Sequence, residues 1–293
     1  MSGFTFTATP RVRSWGRVLI EGPPGAGKSH NARLAAEAFA HLGWEGRTAV
    51  MAIVTEATGA FPDLPVLTLG EPFSPERFAE AIGAALHAGA GALIIDSLSA
   101  EWSGLGGVRD QVDRAARDRT RSEAWQAMSA RHARLLDRIH STPVHIVATV
   151  RRLDMDDQFA EQSKGLAYDF GFAVALEASQ AARVSKCGLP ARPDGPDLAR
   201  HASERPDSTW WSEIAAEHAV GVETTTKAQR DTFAALWAIG RKQNAKALHD
   251  IASRRGVNSD AAAFRWTTSA SAEQAQNLID ELESALGLNG VSS

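Results

Sequence analysis

Short apolar runs alternate with amphipathic stretches over the first 150 residues of the chain. The runs have the length and composition of buried strands, and the stretches between them repeat apolar residues at helical spacing. The predicted strands are residues 18–20, 49–54, 93–95 and 144–150, and the predicted helices are residues 31–42, 77–86 and 121–140. Because alternating strands and helices build parallel sheets, this pattern predicts an α/β fold with a mostly parallel sheet flanked by helices.

The pattern changes after these elements. Residues 172–176 and 181–184 are predicted as two late strands, and a polar stretch rich in proline follows them, which indicates a linker or exposed loop. From residue 224 onward, apolar residues return at helical spacing, as at Phe233, Leu236 and Trp237. The predicted organisation is an α/β domain over residues 1–188, an irregular linker over residues 189–222 and a small helical C-terminal domain over residues 223–293.

A glycine-rich loop joins the first predicted strand to the first predicted helix. It consists of Gly22, Pro23, Pro24, Gly25, Ala26, Gly27, Lys28 and Ser29. Glycines let backbone N–H groups wrap phosphates, and the helix N-terminus adds positive potential. This is the Walker A pattern, so we expect Lys28 to contact the β- and γ-phosphates of ATP and Ser29 to bind Mg²⁺. A chance glycine-rich turn is the alternative, but the flanking strand and helix favour a nucleotide site.

The third predicted strand ends in a carboxylate. Residues 93–96 read Leu-Ile-Ile-Asp, a Walker B pattern in which Asp96 holds Mg²⁺, usually through water. Ser97 follows, where many ATPases have a glutamate that polarises the attacking water. Glu56, just after the second predicted strand, is therefore the candidate base, and an exposed loop glutamate is the alternative. The predicted catalytic residues are Lys28, Glu56 and Asp96.

Three more polar residues are candidates for a sensor or a finger. Thr149 ends the fourth predicted strand and Arg151 follows it, where a polar group can sense the γ-phosphate or a partner. A solvated arginine is the plainer interpretation of Arg151. Lys186 follows a late strand and could project toward a nucleotide held by an adjacent subunit, as finger residues do in assembled ATPases. Taken alone, an exposed lysine is the plainer interpretation of Lys186.

Composition and charge narrow the classes of protein. The formal net charge of -4 gives no global attraction to nucleic acid, so any contact with DNA requires a locally basic surface. Residues 227–255 have a local excess of positive charge, with seven basic residues against two acidic ones. The basic residues are Lys227, Arg230, Arg241, Lys242, Lys246, Arg254 and Arg255. They could contact phosphates, although a solvated helix face accounts for them as well.

Other features bear on the compartment. Cys187 is the single cysteine, so an intrachain disulfide is excluded. The chain shows no signal-peptide pattern and no apolar run long enough to span a bilayer. We therefore expect a cytoplasmic protein without a membrane partner.

The residues around Asp96 resemble those of a known family. Residues 96–102 read Asp-Ser-Leu-Ser-Ala-Glu-Trp and are followed by Gly106 and Gly107. This string resembles the Walker B region of phage-type RecA-like P-loop ATPases, AAA-domain ATP-binding proteins associated with single-strand DNA annealing and recombination. The likeness continues at residues 148–151, 168–170 and 184–186.

The resemblance implies a RecA-like core that uses ATP with Mg²⁺. It implies a catalytic glutamate at the end of the second strand, which maps to Glu56. It also implies action on single-stranded DNA, self-assembly into a ring or filament, an annealing protein as a partner, and the cytoplasm of a bacterium or phage-infected host as the compartment.

Three functions stay open at this point. The leading one is an ATPase that loads or remodels single-stranded DNA. A nucleotide kinase would share the P-loop but need an arginine-rich lid, for which Arg192, Arg200 and Arg205 are present without an acceptor motif. A nucleotide-gated binding or adaptor protein with weak turnover is the third, and the absence of a glutamate beside Asp96 keeps this alternative open.

Overall fold

Within the residues that the structure describes, eight strands form one mixed sheet. The computed structural model describes residues 14–56, 59–152, 162–163, 165–188, 201–219, 227–253 and 272–287. The strands are β1 (Arg17–Gly22), β2 (Ala49–Val54), β3 (Val66–Thr68), β4 (Ala90–Asp96), β5 (His145–Arg151), β6 (Phe172–Leu176), β7 (Ala182–Cys187) and β8 (Ala202–Ser203). Their order is β3-β2-β4-β5-β1-β6-β7-β8, and all pairs are parallel except β6 with β7 and β7 with β8.

Helices cover both faces of this sheet. They are α1 (Lys28–Ala40), α2 (Pro75–His87), α3 (Ser99–Ser103), α4 (Val108–Ala115), α5 (Arg121–Ser141) and α6 (Ser208–Ala219). Side chains from α1 and α6 share one apolar core with Val18 and Ile20 of β1. Side chains from α2 and α5 share another core with Leu19. Because neighbouring side chains of a strand point to opposite faces, each central strand must be apolar on both, which explains the unbroken apolar runs in the sequence.

The beginnings of β1 and β5 are tied together by buried polar groups. The Arg17 guanidinium donates hydrogen bonds to the carbonyls of Gly16, His140, Thr142 and Val144. Burial lowers the pKa of Arg17 to about 9, so the group stays charged at neutral pH. The backbone N–H of Gly16 donates to Nδ1 of His145 over 2.8 Å. These bonds fix β1, and with it the loop that follows it, relative to β5.

The predicted α/β sheet flanked by helices is confirmed. Residues 49–54 form β2 as expected, and the other predicted strands and helices coincide with observed ones to within a few residues. The predicted irregular linker, residues 189–222, differs from the structure in its second half. Residues 202–203 form β8 and residues 208–219 form α6, and β8 and α6 up to His218 belong to the same structural unit as the sheet, Trp15–His218. Residues 189–200 and 220–222 lie outside the described part of the chain.

The second unit is helical in its described residues. It contains α7 (Lys227–Gln243), α8 (Ala245–Ser253) and α9 (Ala272–Ala285). Its core consists of Phe233, Leu236, Leu248, Ile251, Leu278, Ile279 and Leu282. The helical spacing in the sequence therefore identified Phe233 and Leu236 as core positions, and Trp237 is partly buried against the same core. No helix in the described ranges of either unit is long and apolar enough to cross a membrane.

Candidate nucleotide site

The carboxyl ends of the central parallel strands bring the predicted site residues together. Val54 at the end of β2 pairs with Asp96 at the end of β4, and Gly22 at the end of β1 pairs with Arg151 at the end of β5. Strand β5 lies between β1 and β4. This edge, called the carboxyl edge below, is where parallel α/β sheets place their ligand sites.

The glycine-rich loop has the backbone geometry of a phosphate cradle. Gly25 and Gly27 have φ values of 79° and 82°, a left-handed conformation that favours glycine. Gly27 caps α1 without a side-chain hydrogen bond, so the cap supplies no side-chain acceptor to the N–H groups of the first turn. At Gly22, an added Cβ would lie 2.9 Å from the carbonyl oxygen of Leu176, so this position has no room for a side chain. A helix N-terminus of this kind binds anions.

Two hydroxyl groups hold the Asp96 carboxylate. Ser29 Oγ donates to Asp96 Oδ2 over 2.6 Å, and Thr149 Oγ1 donates to Oδ1 over 2.5 Å. Asp96 sits at the end of β4, next to the end of β5 that carries Thr149, while Ser29 sits in the first turn of α1. The structure thus joins the two predicted metal ligands to Thr149, which the sequence had suggested as a sensor.

Lys28 lies over the loop that precedes it. Its Nζ donates to the carbonyl oxygen of Pro23 over 2.8 Å. Burial lowers the pKa of Lys28, nearby Asp96 raises it, and nearby Arg151 lowers it further. The lysine, aspartate and arginine charges are therefore close enough to influence one another at the carboxyl edge.

Glu56 and Arg151 form an ion pair at the same edge. Glu56 follows β2 and its side chain is 64% exposed, whereas Arg151 ends β5. Thr55 fixes the chain beside Glu56, because its N–H donates to the Asp96 carbonyl and its hydroxyl accepts the N–H of Ser97. The bonds of Thr55 therefore place Glu56 near Asp96, where its side chain is open to solvent. The role of Glu56 as a base stays a prediction.

Lys186 lies apart from this group within the chain. It sits in β7, which runs antiparallel to β6, and it pairs with Ala173 near the beginning of β6. Its ammonium donates to the carbonyl oxygens of Tyr168 and Phe170, each over 2.7 Å. Burial lowers the pKa of Lys186. Any contact with a nucleotide would have to be with one bound to another subunit, and this role stays a prediction.

A buried polar network behind Asp96 was not expected from the sequence. The Glu101 carboxylate is fully buried and lies 3.0 Å from Nδ1 of His132, whose Nε2 lies 3.0 Å from the Ser163 hydroxyl. The Gln162 amide donates to the carbonyl oxygen of Leu98, in the turn that follows Asp96. Trp102 packs edge-on against the His132 ring. The glutamate and tryptophan of the family-like string therefore fasten α3, which follows the Walker B turn, to His132 of α5, and Gln162 bonds to the turn itself.

Replacing His132 with Ala is expected to lower the free energy of unfolding by about 2 kcal/mol, because it leaves the buried Glu101 carboxylate with only the Gln162 amide, 3.4 Å away, as a side-chain partner. Urea denaturation of the purified protein measures the change. The exposed His87 is a control, and His87→Ala should change stability by less than about 0.5 kcal/mol. Equal stability of the two variants would show that the network does not stabilise the fold.

The residues at the carboxyl edge fit a magnesium nucleotide. Mg²⁺ prefers oxygen ligands and is usually held by one or two protein groups together with phosphates and water. Ser29 Oγ and Asp96 Oδ2, 2.6 Å apart, supply such a hydroxyl and carboxylate pair. Among the described residues, no group of three or more His, Cys, Asp or Glu side chains could hold a metal ion by itself. The donor set therefore suits a metal that arrives with phosphates.

The fold and this site define the class of protein: a nucleotide-binding P-loop ATPase with a mostly parallel α/β core. A family model described as an AAA domain matches residues 16–176, which is more than half of the chain. The chain belongs to this AAA-domain family. No curated protein shows significant similarity to it. The matched range contains the whole glycine-rich loop, Glu56, Asp96, Thr149 and Arg151, and it ends at the last residue of β6.

Proposed function

We propose that the chain hydrolyses ATP with Mg²⁺ and uses this reaction to act on single-stranded DNA. The observation that carries the ATPase proposal is the hydrogen-bonded set of Ser29, Asp96 and Thr149 beside a phosphate-binding loop. The DNA proposal rests on the family-like string at residues 96–102. Assembly into a ring or filament, and an annealing protein as partner, belong to the same proposal.

Each residue has a distinct part in this mechanism. Backbone N–H groups of the loop and the Lys28 ammonium bind the phosphates and offset their charge. Ser29 and Asp96 would hold Mg²⁺, which when bound neutralises charge on the β- and γ-phosphate oxygens. Thr149 orients the Asp96 carboxylate through its hydrogen bond. Glu56 accepts a proton from the attacking water or orients it, once its carboxylate is released from Arg151.

Local charge supports the DNA part of the proposal. Arg241, Lys242 and Lys246 are exposed at the end of α7 and the beginning of α8. Clustered exposed cations are the general basis of affinity for nucleic-acid backbones. The side chains of Lys227, Arg230, Arg254 and Arg255, the other basic residues of this segment, lie outside the described part of the structure.

The test is ATP hydrolysis by the purified protein with Mg²⁺, measured without DNA and with single- or double-stranded DNA. We expect stimulation by single strands. Glu56→Gln should lower turnover about 100-fold, because a positioned base contributes at least that much, while ATP binding is retained. A matched control is Glu45→Gln, which changes a carboxylate outside the site.

Two other outcomes would point to the other functions. Turnover that is slow in the wild type and unchanged by Glu56→Gln would favour a nucleotide-gated adaptor, whose partner contacts respond to ATP occupancy. ATP consumption that requires a phosphate acceptor would favour a kinase. Turnover that ignores single-stranded DNA would contradict the DNA part of the proposal while leaving the ATPase part in place.

A further inference from the structure

A cavity of about 260 Å³ lies beside the phosphate-binding loop, and apart from Gly27 its lining residues have no part in the mechanism above. It is lined by Gly27, His30, Asn31, Gln180, Arg205 and Pro206. These residues come from the loop, the first turn of α1, the turn between β6 and β7, and the segment between β8 and α6. The cavity is therefore contiguous with the phosphate cradle and open to a ligand held there.

The strand order indicates which part of a ligand would reach this cavity. Asp96 ends β4, which is two strands from β1 on one side, whereas β6 and β7 follow β1 on the other side. The metal-holding residues mark the β- and γ-phosphate end of a bound nucleotide. A nucleotide whose terminal phosphates lie near Asp96 must extend its nucleoside away from β4. That direction leads to the turn after β6, where Gln180 lies.

One wall of the cavity is rigid. The Asn31 side-chain amide donates to the carbonyl oxygen of Gly27 over 3.1 Å, and its oxygen accepts the indole N–H of Trp211 over 3.0 Å. Asn31 and Trp211 are both buried. Because its amide is already bonded on both sides, Asn31 fixes the shape of the wall and links the loop to α6.

The other lining residues offer polar groups at the surface. His30, Gln180 and Arg205 are exposed, and Pro206 is buried behind them. Gln180 has a φ of 70°, and its backbone N–H donates to the carbonyl oxygen of Glu177, so the turn holds it in a fixed place. A glutamine amide can both donate to and accept from a base edge, and a planar guanidinium stacks on aromatic rings.

We propose that this cavity binds the base and ribose of the nucleotide, with Arg205 stacking on the base and Gln180 bonding to its edge. The proposal rests on the proposed function, because it takes the phosphates to be held by the loop. It assigns a role in nucleotide selection to two residues outside both Walker motifs. Arg205 then belongs to the nucleotide site of its own chain and needs no kinase lid to explain it.

The test compares ATP with inorganic tripolyphosphate, which has the phosphates but no nucleoside. Binding of each to the full chain is measured by calorimetry with Mg²⁺. Arg205→Ala is expected to weaken ATP binding about tenfold and to leave tripolyphosphate binding unchanged, and Gln180→Ala should act in the same direction. Arg183→Ala, which changes an exposed arginine in β7 away from the cavity, is the matched control.

The outcomes separate this proposal from the one on which it rests. If the wild type binds both ligands and Arg205→Ala and Gln180→Ala leave ATP affinity unchanged, or weaken both ligands equally, the assignment of the cavity is wrong and the ATPase proposal stands. If the wild type binds neither ligand, the proposed function fails and the cavity assignment fails with it. If Arg205→Ala and Gln180→Ala weaken the binding of ATP and leave the binding of tripolyphosphate unchanged, the assignment is supported.

Discussion

Replacing Lys28 with Ala is expected to reduce ATP turnover roughly a thousandfold, the upper range for loss of one preorganised charged donor. The Lys28 ammonium lies at the phosphate-binding loop, where its Nζ donates a hydrogen bond to the carbonyl oxygen of Pro23. Burial lowers the pKa of Lys28, and although Asp96 raises it, Arg151 lowers it further, so keeping this ammonium charged carries a desolvation cost. A bound triphosphate would offset that cost. Steady-state hydrolysis with saturating Mg²⁺ and ATP measures the effect.

Arg33→Ala is the control for this experiment. Arg33 belongs to the same helix, α1, but it pairs with Glu37 and donates to the carbonyl oxygen of Pro62, away from the loop. We expect it to keep wild-type turnover within a factor of about two, as is usual for surface substitutions. A Lys28→Ala protein that keeps more than a tenth of wild-type turnover would contradict the assigned role.

The central strands could be predicted because each has to be apolar on both faces. Strand β3, Val66–Thr68, gave no such signal, since all three of its residues are exposed at the edge of the sheet. Helix α6 was not predicted from the sequence for a different reason. It follows a stretch rich in proline, and its buried Trp210, Trp211 and Ile214 are too few to outweigh that composition. The pair of tryptophans was the available signal, since two large aromatic side chains in succession rarely belong to a solvated linker.

For the site, the sequence could place residues on strand ends but could not give strand direction or pairing. Asp96 and Thr149 meet because β4 and β5 are neighbours, which is a property of the sheet order. Lys186 lies elsewhere because β7 turns back antiparallel to β6. The contact between Glu101 and His132 joins α3 to α5, and the two residues are 31 positions apart in the chain. No local sequence pattern therefore predicts this contact. Local spacing therefore predicts elements, and tertiary pairing decides which side chains meet.

Lowering the pH from 6.5 to 4 is expected to reduce the free energy of unfolding by roughly 3 kcal/mol through His145 alone. Burial lowers the pKa of His145 to about 2, with the charges of His218 and Arg17 adding to the effect. A histidine in the unfolded chain has its ordinary pKa of 6.5. Between these two values the unfolded chain binds a proton that the folded chain does not, so stability falls as the pH falls, by about 1.4 kcal/mol per pH unit.

His145→Asn tests this effect, because the asparagine side-chain oxygen can accept the N–H of Gly16 in place of Nδ1 and does not titrate in this range. Urea denaturation at a series of pH values gives the free energy of unfolding as a function of pH. We expect the slope of this plot to be about 1.4 kcal/mol per pH unit shallower for the variant than for the wild type. His41→Asn, at an exposed position after α1, should leave the wild-type slope in place. Identical slopes for wild type and His145→Asn would mean that His145 binds a proton in the folded state. That result would contradict the assignment of His145 as a neutral, buried side chain that accepts the N–H of Gly16, the residue before β1.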